Sequence, residues 1–283
     1  MNKTKLVSCF LSGRRKSISK YENQTEELQL NVLHKLICQA IHTEWGQTHG
    51  FAQVKDYDSF TKTSPVNTYE ELKSYIDRMR HGEKDVLWSG QVRWYAKSSG
   101  TTNDKSKFIP VSKECLQDTH YRGGTDAVAL YLGQNPRSRM FDGKALILGG
   151  SHSPNYNLPH SLVGDLSAIL IENASPFVNY FRIPSKKVAL LGDFEEKRER
   201  IAQAAIRENV TNLSGVPSWM LSVLTRVMDI SGKTHLEDVW PGIEVFFHGG
   251  VAFTPYREQY RQLVTLSLIH ISEPTRLGMI SYA

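Results

Sequence analysis

Between Asp193 and Thr265 short apolar runs alternate with helical patterns, and few architectures accept that alternation. Asp193 with Glu196 predicts a capped helix carrying Ile201, Ala204, Ala205 and Ile206 on one face. Val210, Thr211, Asn212 and Leu213 read as a strand, and Pro217 suits the first position of a helix through Met220, Leu221, Leu224 and Val227. Ile243, Glu244, Val245, Phe246 and Phe247 read as a buried strand, and Thr254-Pro255 opens the next helix. Helices set between apolar strands predict an α/β fold with a mostly parallel sheet and flanking helices.

The upstream half is less regular. Thr25 is expected to cap a helix through Leu33, Leu36, Ile37, Ala40 and Ile41, ending near Gly46. Thr68 and Glu71 form a capping box for a second helix, with Leu72, Tyr75, Ile76 and Met79 on one face and Gly82 past its end. A helical stretch from Ser112 is expected to break at Gly123-Gly124, before a strand at Ala145, Leu146, Ile147 and Leu148.

The chemistry-bearing stretch runs from Lys97 to Pro110. Ser98, Ser99, Thr101 and Thr102 surround Gly100, and Lys105 and Lys107 follow. Small residues let several N–H groups converge, hydroxyls add donors, and an ammonium adds point charge for a phosphate. Strand-like residues flank it, Val92 to Ala96 before and Phe108 to Val111 after. A Walker-type loop needs a second glycine and then lysine where this chain has Lys105 and Ser106, and it opens a helix. That pattern is absent. A polar surface turn is the plain alternative.

The composition bounds the rest. A chain of 283 residues with 40% hydrophobic and 22% charged content can hold one large domain or two smaller ones. The net charge is +5, and its densest part, Lys3, Lys5, Arg14, Arg15, Lys16 and Lys20, reads as a solvated basic arm. No aromatic platform interleaves with it, so neither nucleic acid nor a membrane is expected as partner. Cys9, Cys38 and Cys115 form no disulfide framework or metal spacing, and residues 6–11 are too short for a signal h-region. A cytoplasmic monomer without a protein-built metal site is expected.

Ser98-Ser99-Gly100-Thr101-Thr102, with Lys107 and Pro110, resembles the phosphate-binding motif of adenylate-forming enzymes. More closely it is similar to the Gretchen-Hagen-three family, the auxin-responsive acyl acid amido synthetases and their bacterial relatives. Pro65 to Leu72, Gly215-Val216-Pro217-Ser218-Trp219 and Phe247-His248-Gly249-Gly250 follow in the family's order, so the resemblance covers about residues 15–265. Asp104 departs from it, standing where the wider superfamily usually has glycine.

The resemblance implies part of the large N-terminal domain of an adenylate-forming enzyme. It implies ATP and Mg²⁺ as cofactors, with a small carboxylic acid and an amino acid as partners. Ser98, Ser99, Gly100, Thr101 and Thr102 would hold phosphate, with Lys107 as the catalytic cation. His248, Gly249, Gly250 and Val251 would line the adenine and ribose, and Val216, Pro217 and Trp219 the acyl group. The reaction implied is acyl-adenylate formation followed by transfer to the amine. A P-loop-like kinase or nucleotidase and a non-catalytic nucleotide-binding fragment are the other readings.

The string from Leu266 to Arg276 resembles the translation of a transposase adapter used in sequencing libraries. Residues 266–283 are therefore expected to be adapter read-through and not native, leaving 1–265 as a truncated, inactive portion of the domain without the small C-terminal domain. A genuine strand-and-turn is the alternative, since Leu268, Ile269 and Ile271 have good β-propensity.

Overall fold

The computed structural model describes residues 3–98, 106–264 and 269–272. It opens with α1 (Lys3–Phe10), α2 (Ser12–Ser19), α3 (Thr25–Ala40), α4 (Glu44–Thr48), α5 (Tyr57–Thr63) and α6 (Tyr69–Arg80). Next come β1 (Trp94–Ser98) and β2 (Lys107–Val111), then a π-helical turn (Cys115–Tyr121) running into α7 (Arg122–Gln134). β3 (Lys144–Ile147), β4 (Leu162–Gly164), α8 (Leu166–Glu172), α9 (Pro176–Phe181), β5 (Arg182–Ile183) and α10 (Lys186–Ala189) follow. The last part holds α11 (Phe194–Ile206), β6 (Val210–Gly215), α12 (Pro217–Ser231), α13 (Leu236–Val239), β7 (Val245–His248), α14 (Arg257–Leu263) and β8 (Ile269–Ser272).

The chain divides into two compact units. One comprises residues 11–131 and 152–169; the other draws on residues 1–10, 132–151 and 170–283.

In the first unit the strands form a three-stranded sheet, β2–β1–β4, antiparallel between β1 and β2 and parallel between β1 and β4. Ile76 and Met79 of α6 pack there with Val86, Val92, Tyr95 and Val163. The start of α6 follows from its sequence: the Glu71 carboxylate accepts the Thr68 N–H at 2.6 Å and the Thr68 hydroxyl at 2.8 Å. Its end does too. Gly82 has φ +100°, and a Cβ there would meet the His160 ring at 2.7 Å.

Four expectations change here. Thr25 is not a cap; it is the first residue of α3, and its hydroxyl donates to the Tyr21 carbonyl. That helix stops at Ala40, short of Gly46, because Thr43 starts a new one by accepting the Gly46 N–H at 3.0 Å. Gly123-Gly124 does not break a helix but lies inside the first turn of α7. The glycine penalty, about 1 kcal/mol each, is offset along this segment by burial of Leu116, Ala129 and Tyr131. The basic arm is helical, and Arg14 of α2 pairs with Asp126 of α7.

The second unit carries the sheet that the alternation predicts, in the order β5–β3–β6–β7–β8, with every adjacent pair parallel. Its core joins Leu146, Leu213 and Phe246 of the strands to Ile201 and Ala205 of α11 and Leu224 and Val227 of α12. Met220, Val223, Leu224 and Val227 are each no more than 2% exposed. At roughly 1.5–3 kcal/mol for each large apolar side chain removed from water, α12 is anchored mainly by this stripe. Trp240 is buried as well, its Nε1–H donating to the Ala205 carbonyl at 3.1 Å. In the same unit the Thr4 hydroxyl of α1 accepts the Phe141 N–H at 3.0 Å.

Within the segment that resembles adapter translation, Ile269–Ser272 pairs with β7 from Val245↔Ile269 to His248↔Ser272. The physical reason is plain. The outer edge of a parallel strand offers a row of unpaired amides, and a β-branched segment arriving just after α14 satisfies them.

Candidate functional site

The site residues expected from sequence fall into two groups, one in each unit. In the first unit β1 and β2 run antiparallel in unbroken register, so Ser98 stands directly opposite Lys107. Both therefore sit at the mouth of the Ser/Thr/Gly connection. Ser99, Gly100, Thr101, Thr102 and the departure at Asp104 lie outside the described residues. Pro110 is tolerated because β2 is the edge strand of its sheet, where a missing N–H breaks no ladder.

Aromatic rings hold the cations of these stems. The Lys107 Nζ lies 5.5 Å from the centroid of the Tyr69 ring, and the Phe108 N–H donates to the Tyr69 hydroxyl at 2.9 Å. On the other stem the Lys97 Nζ lies 4.2 Å from the Tyr156 ring. Arg80, at the end of α6, is buried; its guanidinium carbon is 3.9 Å from the Phe108 ring and its Nη2 donates to the Tyr156 carbonyl at 2.7 Å. Tyr95 on β1 is fully buried, and burial pushes its phenol pKa up, a shift the nearby Arg80 charge opposes. Three cationic side chains thus gather around two short strands. That is an arrangement suited to an anion.

Sequence reasoning treated α6 as a packing element and gave no role to Tyr69, Arg80, Tyr156 or Lys97. The usable signal was the Pro65–Leu72 stretch, which contains Tyr69 beside the capping box.

In the second unit every strand pairing is parallel, so all carboxyl ends open on one edge of the sheet, where α/β sheets bind ligands. Three glycine-bearing turns lie side by side there. Leu148, Gly149 and Gly150 follow β3 and are buried. The ammonium of Lys197, itself only 7% exposed on α11, donates to the Gly149 carbonyl at 2.6 Å and the Gly150 carbonyl at 2.9 Å. Neither the turn nor the lysine was singled out from sequence, since nothing local marks a lysine that turns inward.

The second turn follows β6. Gly215 has φ +154°, and a Cβ there would come within 3.0 Å of the Leu148 Cβ. Val216 is the extended residue before α12, and the buried Pro217 is its first residue. The Pro217 carbonyl accepts the buried Tyr260 hydroxyl from α14 at 2.8 Å. Burial raises the pKa of that phenol, which keeps it a donor. Trp219 is 42% exposed, its ring 6.2 Å from that of Phe194.

The third turn follows β7. Sequence reasoning put His248 in the turn; it is instead the last strand residue, opposite Gly215, with its ring buried and stacked 4.7 Å from Phe253. The turn proper is Gly249, Gly250 and Val251, with Gly250 at φ +83°. Backbone without side chains can approach a flat ligand closely.

Among the described residues no group of three or more His, Cys, Asp or Glu side chains could hold a metal ion. No helix among them is long and apolar enough to cross a membrane.

Comparison with known proteins adds a family. A model of the GH3 family N-terminal domain matches residues 14–267. The jasmonoyl–L-amino acid synthetase JAR6 of Nicotiana attenuata is 31% identical over 108 residues, covering 37% of this chain and 19% of that protein. The indole-3-acetic acid-amido synthetase GH3.15 of Arabidopsis thaliana is 34% identical over 93 residues, covering 32% of this chain and 16% of that one. Among solved structures, GH3.15 acyl acid amido synthetase gives a TM-score of 0.71 at 18% identity, over 92% of this chain and 54% of that chain. Its complex with 2,4-DB gives 0.72 at 19% identity, over 90% and 54%. The chain thus spans about half the length of these solved relatives and aligns with under a fifth of the curated ones.

Proposed function

Because the chain belongs to the GH3 family, whose N-terminal domain model spans residues 14–267, we propose that it contributes to an ATP-dependent ligase joining a carboxylic acid to an amino acid. The observation that carries the proposal is the register match of Ser98 and Lys107 across the mouth of a connection rich in hydroxyls around one glycine. The names of the relatives support the class: one is a jasmonoyl–L-amino acid synthetase and another an indole-3-acetic acid-amido synthetase.

In the proposed reaction the acid's carboxylate attacks the α-phosphate of ATP and pyrophosphate leaves. An amine then attacks the acyl carbon and AMP leaves. Charge in the first step gathers on phosphate oxygens, so pre-set donors and a cation lower its barrier. Ser98, Ser99, Thr101 and Thr102, with the Gly100 main chain, supply the donors, and Lys107 supplies the cation. His248 backs the turn of Gly249, Gly250 and Val251, whose main chain lies against the adenine and ribose. Val216, Pro217 and Trp219 border the acyl group.

ATP would arrive with Mg²⁺, which supplies charge neutralisation of the polyphosphate. The chain spans about half the length of its solved relatives, and it is proposed to bind the nucleotide used in this reaction.

Calorimetric titration tests this. Lys107→Ala is expected to weaken ATP binding about tenfold, the loss of one charge-assisted contact. In a version extended to the relatives' length, the product should be AMP and pyrophosphate. Release of ADP would point to the kinase reading, and unaltered ATP affinity would remove Lys107 from the site.

A further inference from the structure

We infer that Tyr69 is a positioning residue that sets where Lys107 presents its charge to a polyphosphate. The inference rests on the phosphate-binding reading above and adds to it a residue from α6.

Two contacts made by one side chain carry it. The Tyr69 hydroxyl accepts the N–H of Phe108 at 2.9 Å, and Phe108 is the residue immediately after Lys107. The ring of the same tyrosine lies 5.5 Å from the Lys107 ammonium. One phenol therefore fixes the main chain of a single short segment and lies against its charged end. The hydroxyl is needed because β2 is an edge strand, and its outward-facing N–H groups have no ladder partner.

The ring holds the ammonium only loosely. A cation over an aromatic face gains about 0.5–1 kcal/mol at an exposed site, well short of what a doubly charged phosphate offers. The lysine is thus kept near the mouth of the connection and remains free to turn to an anion.

The far end of α6 closes the grip. Arg80 lies over the Phe108 ring at 3.9 Å and is itself tied to the Tyr156 carbonyl at 2.7 Å. Phe108 is consequently held from both ends of one helix, by its first residue, Tyr69, and by its last, Arg80. A rigid helix bearing on the residue next to Lys107 is what a pre-set cation requires.

The test uses the full 283-residue chain with Tyr69→Phe, which keeps the ring, and Tyr69→Leu, which removes it. ATP, pyrophosphate and AMP are titrated against each, and hydrogen exchange is followed at the Phe108 amide. Tyr69→Phe is expected to weaken ATP and pyrophosphate about fivefold, the loss of one hydrogen bond. Tyr69→Leu is expected to weaken them about tenfold or more. AMP, which lacks the outer phosphates, should bind both variants as it binds the parent. Phe108 exchange should quicken in both, and in a Lys107→Ala background the two variants should become equivalent.

Equal weakening toward AMP and pyrophosphate would mark a merely structural tyrosine and overturn the inference. So would unchanged pyrophosphate affinity in a chain that binds it. A parent chain that binds neither ATP nor pyrophosphate would overturn the phosphate-binding reading and this role with it, even where Phe108 exchange shows the tyrosine contact intact.

Discussion

Replacing Lys197 by methionine should destabilise the unit that contains the parallel sheet by about 3 kcal/mol, a figure that follows from its two hydrogen bonds. The ammonium is 7% exposed and donates to the carbonyls of Gly149 and Gly150, both in buried residues. Methionine reaches as far as the lysine Cε and keeps the apolar stem packed, so the change removes chiefly the donor. A buried carbonyl left without its partner costs about 1–3 kcal/mol, which for two gives about 2–6 kcal/mol. Against this stands the charge's own desolvation, which the variant no longer bears. A net loss near 3 kcal/mol corresponds to about a 150-fold shift in the unfolding constant.

Urea denaturation followed by tryptophan fluorescence reads it, since Trp240 is buried in this unit and reports its opening. With a slope of about 2 kcal/mol/M, the midpoint should fall by about 1.5 M while the slope stays unchanged. A midpoint within about 0.3 M of the parent would refute the reasoning, because the two carbonyls would then be satisfied without the lysine.

Two further changes follow from geometry and charge. Gly215→Ala forces a side chain into φ +154° and 3.0 Å from the Leu148 Cβ; it should cost about 1–3 kcal/mol by thermal unfolding, and an unchanged melting temperature would argue against strain there. Arg78 pairs with both Glu44 and Glu83, whose carboxyls it holds below the usual carboxylate range chiefly by hydrogen bonding. A depressed carboxyl stabilises the fold above its unfolded value and loses that contribution as the pH falls through the folded one. Arg78→Met should therefore melt below the parent at neutral pH, and the gap should close as the pH falls below the ordinary carboxylate range; a gap that persists in strong acid would show that the arginine acts through packing on Tyr75.

The parts of this fold that were legible in the sequence are those whose signals are local. Asp193 accepts the Glu196 N–H at 2.7 Å, Thr68 meets Glu71, and Pro217 opens α12, each as its spacing predicts. The family expected from the loop and its companion motifs is the family found. What escaped was decided by distant contacts. The glycine pair at 123–124 reads as a break until the flanking segment is seen buried, and α3 stops short of Gly46 because Thr43 caps a new helix there, with Gly46 lying tight against the Ala40 carbonyl. Lys197 and Arg80 escaped for the same reason. A charged side chain that turns inward looks, along the chain, like any solvated one.

The bond from Tyr260 to Pro217 has a consequence for how short a working piece can be cut. The phenol arrives from α14 and locks the entrance of α12, forty-three positions upstream, while its ring lies 5.1 Å from Phe253 and 5.5 Å from Phe246. Any trimmed version that stops before residue 260 gives up the latch and the aromatic stack together. The boundary for deletion work is set by that one hydroxyl.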